Sequence, residues 1–302
     1  MEVLWQDLRG IHDLKIVSPQ KLDILPILRH RYETAATFEP EAGPERVDPG
    51  VVLPGCQSVL VAFYQLPRPQ WQEMPEGAGR LASVSWGEDY HTILRDSLRM
   101  LQERLEAQDP TGEFFLQVDT GPLYERGFAQ KTGAGHLGKS GNFIHHRLGS
   151  YVALGILCTT LELPLDEEEG HYSCGDCSRC IQACPGGCLH EDGTMIPTSC
   201  RSFLSQKKGM LTAKEQEILG DALYGCDICQ WVCPKNQGVE EKNAEEDLLH
   251  WVRSQDLEGL SNKKFREIYG HRSGAWRGAA LWRRNLGYME EASGPGKINE
   301  KC

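Results

Sequence analysis

The sequence predicts an α+β protein in three successive parts: an α/β domain over residues 1–168, a compact cysteine-rich module over 169–238 and a short basic helical segment over 239–302. Three observations carry that division. Strand-like apolar runs surround one strongly amphipathic helix before residue 168, nine of the 12 cysteines lie between Cys174 and Cys233, and the charge changes sign after residue 250.

The first domain is read from its apolar pattern. Residues 1–50 are cut into short pieces by Pro19, Pro26, Pro40, Pro44 and Pro49. Leu22, Leu25 and Leu28 have a weak helical spacing that Pro26 interrupts. Cys56–Tyr64 is β-branched and aromatic, bounded by Pro54-Gly55 and Pro67, and reads as a buried strand. From Tyr90, the leucines Leu94, Leu98, Leu101 and Leu105 recur at helical spacing among charged residues, so an amphipathic helix is expected, ended by Asp109-Pro110.

Phe114–Val118 is a second strand and delivers Asp119 at its carboxyl end, where α/β sheets gather ligands. A helix is expected over Leu123–Lys131. Gly133, Gly135 and Gly138 then permit tight turns and close backbone approach to a ligand, without forming a dinucleotide fingerprint. Tyr151–Cys158 fits a central strand buried on both faces. An acidic loop, Asp166 to Glu169, leads into the cysteine module.

In that module, Cys174, Cys177 and Cys180 are each two residues apart, Cys184 follows three later, and Pro185 comes next. Cys200 stands alone, and Cys226, Cys229 and Cys233 precede Pro234. The first run is the spacing of bacterial ferredoxins, in which the fourth thiolate ligates the other cluster. A C-x2-C-x2-C loop wraps one cube, and the fourth cysteine leaves on a helical turn. On that logic Cys174, Cys177, Cys180 and Cys233 hold one [4Fe–4S] cluster, and Cys184, Cys200, Cys226 and Cys229 hold the other.

Zinc ribbons repeat C-x2-C too, but need neither the third cysteine nor the Cys-Pro ends. Disulfides carry little weight in a chain with no signal peptide. Cys56, Cys158 and Cys188 remain as small buried hydrophobes and Cys302 as an exposed terminal thiol. Thr212–Glu215 is a capping box opening a helix through Leu219, ended by Gly220, which sets Cys200 and Cys226 on either side of one helix.

A formal charge of −11 argues against non-specific coating of nucleic acid, so any RNA contact must come from a local patch. Glu240, Glu241, Glu245, Glu246 and Asp247 form an acidic connection. Residues 251–288 then carry eight Lys or Arg against three acids, with Trp251, Trp276 and Trp282 among them as stacking or packing groups. The last fourteen residues read as frayed. The N-terminus has no signal-peptide pattern, and no run reaches the ~18 apolar residues of a membrane span. A cytoplasmic monomer without membrane contact is expected.

About 170 residues ahead of the cysteines are far more than a bare dicluster electron carrier needs. Gly87–His91, Val118–Arg126, Gly138-Lys139, Gly149–Tyr151, the eight cysteines, Ser199–Ser202 and Tyr224–Gln230, in that order, resemble the epoxyqueuosine reductase family, over about residues 48–285. The resemblance implies a nitroreductase-like α/β domain binding cobalamin, as cob(II)alamin, beside a ferredoxin-like 2×[4Fe–4S] module. It also implies reduction of the epoxide of a modified wobble base in tRNA to the alkene, with electrons from an external flavodoxin or ferredoxin.

By the same resemblance Asp119 is the catalytic acid and a cofactor contact, with its pKa expected to be raised by a dry cofactor face. Lys139, Phe143, Leu154, Ser202 and Phe203 fall in the corrin environment by block position. The His-ligated cobalamin signature D-x-H-x-x-G is absent, because Asp89-Tyr-His91 leads to Leu94, so His91 is not read as a cobalt ligand. Many family members carry a C-terminal helical-repeat extension that grips tRNA, whereas this sequence stops at residue 302. Two other readings are a related corrinoid reductase of the dehalogenase type, disfavoured by the lack of a twin-arginine signal and by the basic tail, and an electron-transfer protein with no substrate of its own.

Overall fold

The computed structural model describes residues 4–24, 43–68, 73–166, 172–241 and 248–292. Nine strands are present among them: β1 Asp13–Val17, β2 Ser58–Gln65, β3 Ala78–Leu81, β4 Phe114–Val118, β5 Gly135–Leu137, β6 Phe143–His145, β7 Val152–Thr159, β8 Ala222–Tyr224 and β9 Trp251–Arg253. The expected strands become β2, β4 and β7. They join β1 in a sheet of order β1-β2-β7-β4 in which each neighbouring pair is antiparallel.

Burial on both faces explains the unbroken apolar runs. All eight residues of β2 are buried, and alternate side chains enter different cores. Leu60, Ala62 and Tyr64 pack with Leu94, Leu98 and Leu101 of the helix Tyr90–Gln108. Val59, Val61 and Phe63 pack with Leu123 and Phe128 on the other face. Each fully buried leucine contributes roughly 1.5–3 kcal/mol relative to exposure.

Gly155 of β7 brings the long helix close, since a Cβ there would sit 2.7 Å from Leu98 Cδ1 and 2.8 Å from Leu94 Cδ2. That contact fixes where the amino end of the helix emerges.

A second sheet, of order β8-β3-β9, draws one strand from each of the three sequence segments. β3 lies parallel to β8 and antiparallel to β9. Trp282 and Phe265 are fully buried beneath it with Leu223 and Val252. The C-terminal helix Ala279–Ala292 is therefore a packed element.

Arg283 donates to the carbonyls of Leu257 and Leu260, and Arg284 to those of Leu204, Lys207 and Gly209. Their guanidiniums tie this helix to its neighbours. Between Cys200 and Cys226 the chain forms two helices, Arg201–Gln206 and Ala213–Leu219, where one was expected. The second opens with the Thr212/Glu215 capping box and ends at Gly220, φ 51°. Leu25, Leu28, the end of the acidic connection and Cys302 lie outside the described residues.

Candidate active site and cluster module

Asp119 leaves β4 at φ 55°, and among the described residues no other non-glycine residue has a positive φ. The Thr120 N–H donates to the Val118 carbonyl at 2.6 Å, closing a three-residue turn around it. Aspartate tolerates this left-handed region better than most residues, yet such geometry costs energy that the surroundings must hold in place. Glu125 does the holding. Its carboxylate accepts from the Asp119 N–H at 2.8 Å and from Gln117 Nε2 at 3.2 Å.

Facing that turn is the amino end of the helix Tyr90–Gln108. Asp89 is its N-cap, accepting from the His91 N–H at 3.1 Å and from His91 Nδ1 at 2.6 Å. The ring so oriented puts Nε2 3.3 Å from Asp119 Oδ2. The result is a row Asp89–His91–Asp119.

Burial alone would lower the His91 pKa, but its hydrogen bonds to Asp119 and then Asp89 outweigh that and raise it to about 9. The His91 hydrogen bond in turn holds the Asp119 carboxyl below its usual range, against burial. Here the charged partner decides the direction, while the expected rise concerns the carboxyl under a cofactor face. Glu125 is the carboxyl that is pushed up, to about 7, first by burial and then by the charge of Asp119.

Asp119, with 60% of its side chain exposed, faces a cavity of about 1240 Å³. Drug-sized ligands occupy roughly 300–1,000 Å³, so this space suits a larger group. Tyr90, Tyr124, Tyr224 and Trp276 supply aromatic walls, and Arg46, Arg95 and Arg126 supply positive charge. Trp276 is 64% exposed, with its Nε1 donating to the Tyr224 hydroxyl at 2.8 Å and the Arg277 guanidinium stacked 3.9 Å from its ring centre. A cavity of this volume with aromatic and charged lining fits a corrin-sized group. Both ring nitrogens of His91 are engaged, in keeping with its exclusion as a cobalt ligand.

In the cysteine module, Cys174, Cys177, Cys180, Cys229 and Cys233 all line one small hollow of about 30 Å³. The helix Arg179–Ala183 carries Cys184 away from that hollow before Pro185. Cys184 lies instead near Cys188 and Cys200, whose neighbours in turn include Cys226 and Cys229. Among the described residues, no three His, Cys, Asp or Glu side chains converge as they would on a single ion.

Cys188, 1% exposed, places its thiol 3.4 Å from Cys184 Sγ and also hydrogen-bonds Cys200. The spacing rule offered no role for it.

The second cysteine group abuts the cavity, because Ser202, two residues after Cys200, and Gly225, next to Cys226, line it. Of the residues assigned to the corrin environment, Asp119 and Ser202 line this cavity. Phe143 and Leu154 do not: both are buried in the core, Phe143 with its ring centre 5.6 Å from that of Phe63. Lys139 lies beside the Cys174 hollow and pairs with Glu191 at 2.7 Å. Phe203 is half-buried beside Ser202. Sequence reasoning missed the positive roles of His91 and Glu125; the Asp-x-His ahead of a strong amphipathic helix was the available signal.

A family model described as a 4Fe-4S double cluster binding domain matches residues 173–236, and one described as epoxyqueuosine reductase QueG matches residues 46–120. The epoxyqueuosine reductase of Bacillus cereus is 36% identical over 269 residues, covering 85% of this chain and 70% of that protein. The structure of epoxyqueuosine reductase from Streptococcus thermophilus superposes with a TM-score of 0.89 at 34% identity, covering 96% of this chain and 79% of that one. An epoxyqueuosine reductase crystallised with a tRNA-Tyr epoxyqueuosine-modified stem loop gives 0.86 at 30% identity, covering 96% and 80%. Similarity of this extent across both the cavity-bearing domain and the cluster module leads to one assignment: the chain belongs to the epoxyqueuosine reductase family.

Proposed function

We propose that this chain reduces the epoxide of epoxyqueuosine in tRNA to the alkene of queuosine. Two electrons and two protons remove the epoxide oxygen as water. The observation that carries the reading is the large cavity lined by Asp119 and, from the double-cluster segment, by Ser202, Tyr224 and Gly225. We assign Cys174, Cys177, Cys180 and Cys233 to the outer [4Fe–4S] cluster, and Cys184, Cys200, Cys226 and Cys229 to the one beside the cavity. An external flavodoxin or ferredoxin would feed the outer cluster. Cobalamin, when bound in this cavity and resting as cob(II)alamin, supplies the electron-rich centre that opens the epoxide.

The chain's own residues manage the protons. His91 holds one at Nε2, 3.3 Å from Asp119 Oδ2. Asp119 passes it to the epoxide oxygen as the carbon–oxygen bond breaks, and His91 replaces it. Filling the cavity removes water from the carboxylate and shifts the shared proton towards Asp119. Ser202, Phe203 and the aromatic walls orient the bound groups. The antiparallel sheet with helices on both faces supports a nitroreductase-like first domain.

The C-terminal segment enters the site through Trp276, held at its edge by Tyr224 and on its face by Arg277, as a platform for an RNA base. Arg283 and Arg284 are assigned to packing. The test is anaerobic reconstitution with iron, sulfide and cobalamin, followed by assay on epoxyqueuosine-containing tRNA. Conversion to queuosine is expected. Full cofactor content without conversion, while tRNA binds, would return the chain to an electron carrier.

A further inference from the structure

The β5–β6 hairpin belongs to the first domain by sequence but lies against the cysteine module in space. Gly135, His136 and Leu137 pair with His145, Ile144 and Phe143. The turn is closed by Gly138 N–H to the Asn142 carbonyl at 2.9 Å and Gly141 N–H to the Gly138 carbonyl at 2.8 Å, with Gly141 at φ 77°. It is pinned on both sides: Arg126 Nη1 donates to the Gly141 carbonyl at 2.7 Å, and Lys139 Nζ pairs with Glu191 at 2.7 Å. A Cβ on Gly135 would sit 2.1 Å from the Ile144 carbonyl oxygen, so this approach requires glycine.

From this rigid hairpin two side chains reach cysteine sulfurs. His136 Nε2 lies 3.6 Å from Cys174 Sγ, and Asn142 Nδ2 lies 3.6 Å from Cys229 Sγ. In the crossed assignment the two cysteines belong to different sets: Cys174 lines the outer hollow with Cys177, Cys180 and Cys233, while Cys229, which reaches the same hollow, has Cys226 and Cys200 as neighbours. His136 is 8% exposed, and its Nδ1 has no partner among the described residues. A proton on Nε2 therefore has an acceptor, whereas one on Nδ1 would leave a buried donor unmade. Nε2 donates in the imidazolium as well, so the contact does not depend on titration. Asn142 is oriented by Ser140 Oγ, 3.3 Å from its Nδ2.

We infer that the β5–β6 hairpin sets the reduction potentials of both clusters, His136 raising that of the outer one and Asn142 that of the one beside the cavity, each through one N–H···S hydrogen bond. Reduction adds negative charge that spreads onto the thiolate sulfurs, so a donor favours the reduced state. One loop touching both clusters raises both potentials together, which brings the pair within reach of a reductant while the gap between them is kept. This rests on the dicluster reading.

The test is a redox titration, followed by electron paramagnetic resonance, of the reconstituted chain and of His136→Phe and Asn142→Leu, which keep volume and remove the donor. Each variant is expected to lower the midpoint of one cluster, a different one in each case, by about tenfold in its one-electron equilibrium, or ~59 mV. His136→Gln, which keeps a donor, should restore most of the shift. Unchanged midpoints in both variants at full iron content would overturn the inference and leave the hairpin a mechanical clamp. If His136→Phe fails to load iron, the Asn142→Leu titration alone decides in the same way. About four irons, or zinc, in the wild-type chain would instead overturn the dicluster reading.

Discussion

The cysteine module and the cavity of Asp119 are built by opposite means. Seven of the eight assigned cysteines fall in two short runs, 174–184 and 226–233, so local spacing alone groups them. The cavity takes Arg46, His91, Asp119, Ser202, Tyr224 and Trp276 from all over the chain. Local spacing names a ligand set, but only packing decides what stands next to an acid. The pKa of Asp119 shows the difference: nothing in its own segment announces a charged partner, and His91 from another element holds it low.

The largest expected effect comes from removing the acid. Asp119→Asn keeps shape and hydrogen bonding but cannot pass a proton, and turnover should fall by roughly 10²-fold or more. Iron and cobalamin content should stay at wild-type levels. Near wild-type turnover would make Asp119 a residue of the turn only.

His91→Gln tests whether a distant element does share the chemistry. Turnover should drop by about tenfold or more, and the pH profile should change. With a folded pKa of about 9 against an ordinary 6.5, the His91 proton is present at neutral pH and lost as pH rises through about 9. Wild-type rates should fall across that range, and the variant should lose that limb. The stability from the ion pair follows the same sign: complete below about 6.5 and gone above about 9. An unchanged profile would confine His91 to packing beside Asp89 and Asp119.

A third comparison concerns the tail, where composition suggested RNA and packing suggests architecture. Arg283→Ala with Arg284→Ala leaves the carbonyls of Leu204, Lys207, Gly209, Leu257 and Leu260 without these donors. A loss of about 2 kcal/mol or more in unfolding free energy is expected, with the salt dependence of tRNA binding unaltered. Trp276→Ala should do the reverse, weakening tRNA binding by roughly 1–3 kcal/mol at unchanged stability. A flattened salt slope in the arginine variant would restore the tail as an RNA surface.

The smallest effect is one of pH on stability. Glu125 has its folded pKa raised to about 7 from 4.5, so ionising it in place costs stability progressively from about 4.5 to about 7. Glu125→Gln should flatten the melting temperature over that window, while its amide oxygen still accepts from Asp119. An unaltered slope would mean that Glu125 does not titrate there.

By itself the sequence determined strands β2, β4 and β7, the long helix, the capping box and the two cysteine runs. These depend on periodicity and spacing within about twenty residues, which repeat wherever the same local geometry does. Tertiary structure decided the rest. It placed β3, β8 and β9 in one sheet across three segments, sent Phe143 and Leu154 into the core, turned Arg284 inwards and set Lys139, His136 and Asn142 against the cysteines. Side chains hundreds of positions apart meet because burying the apolar faces of β2 and β7 fixes the elements that carry them, and no local pattern encodes that distance.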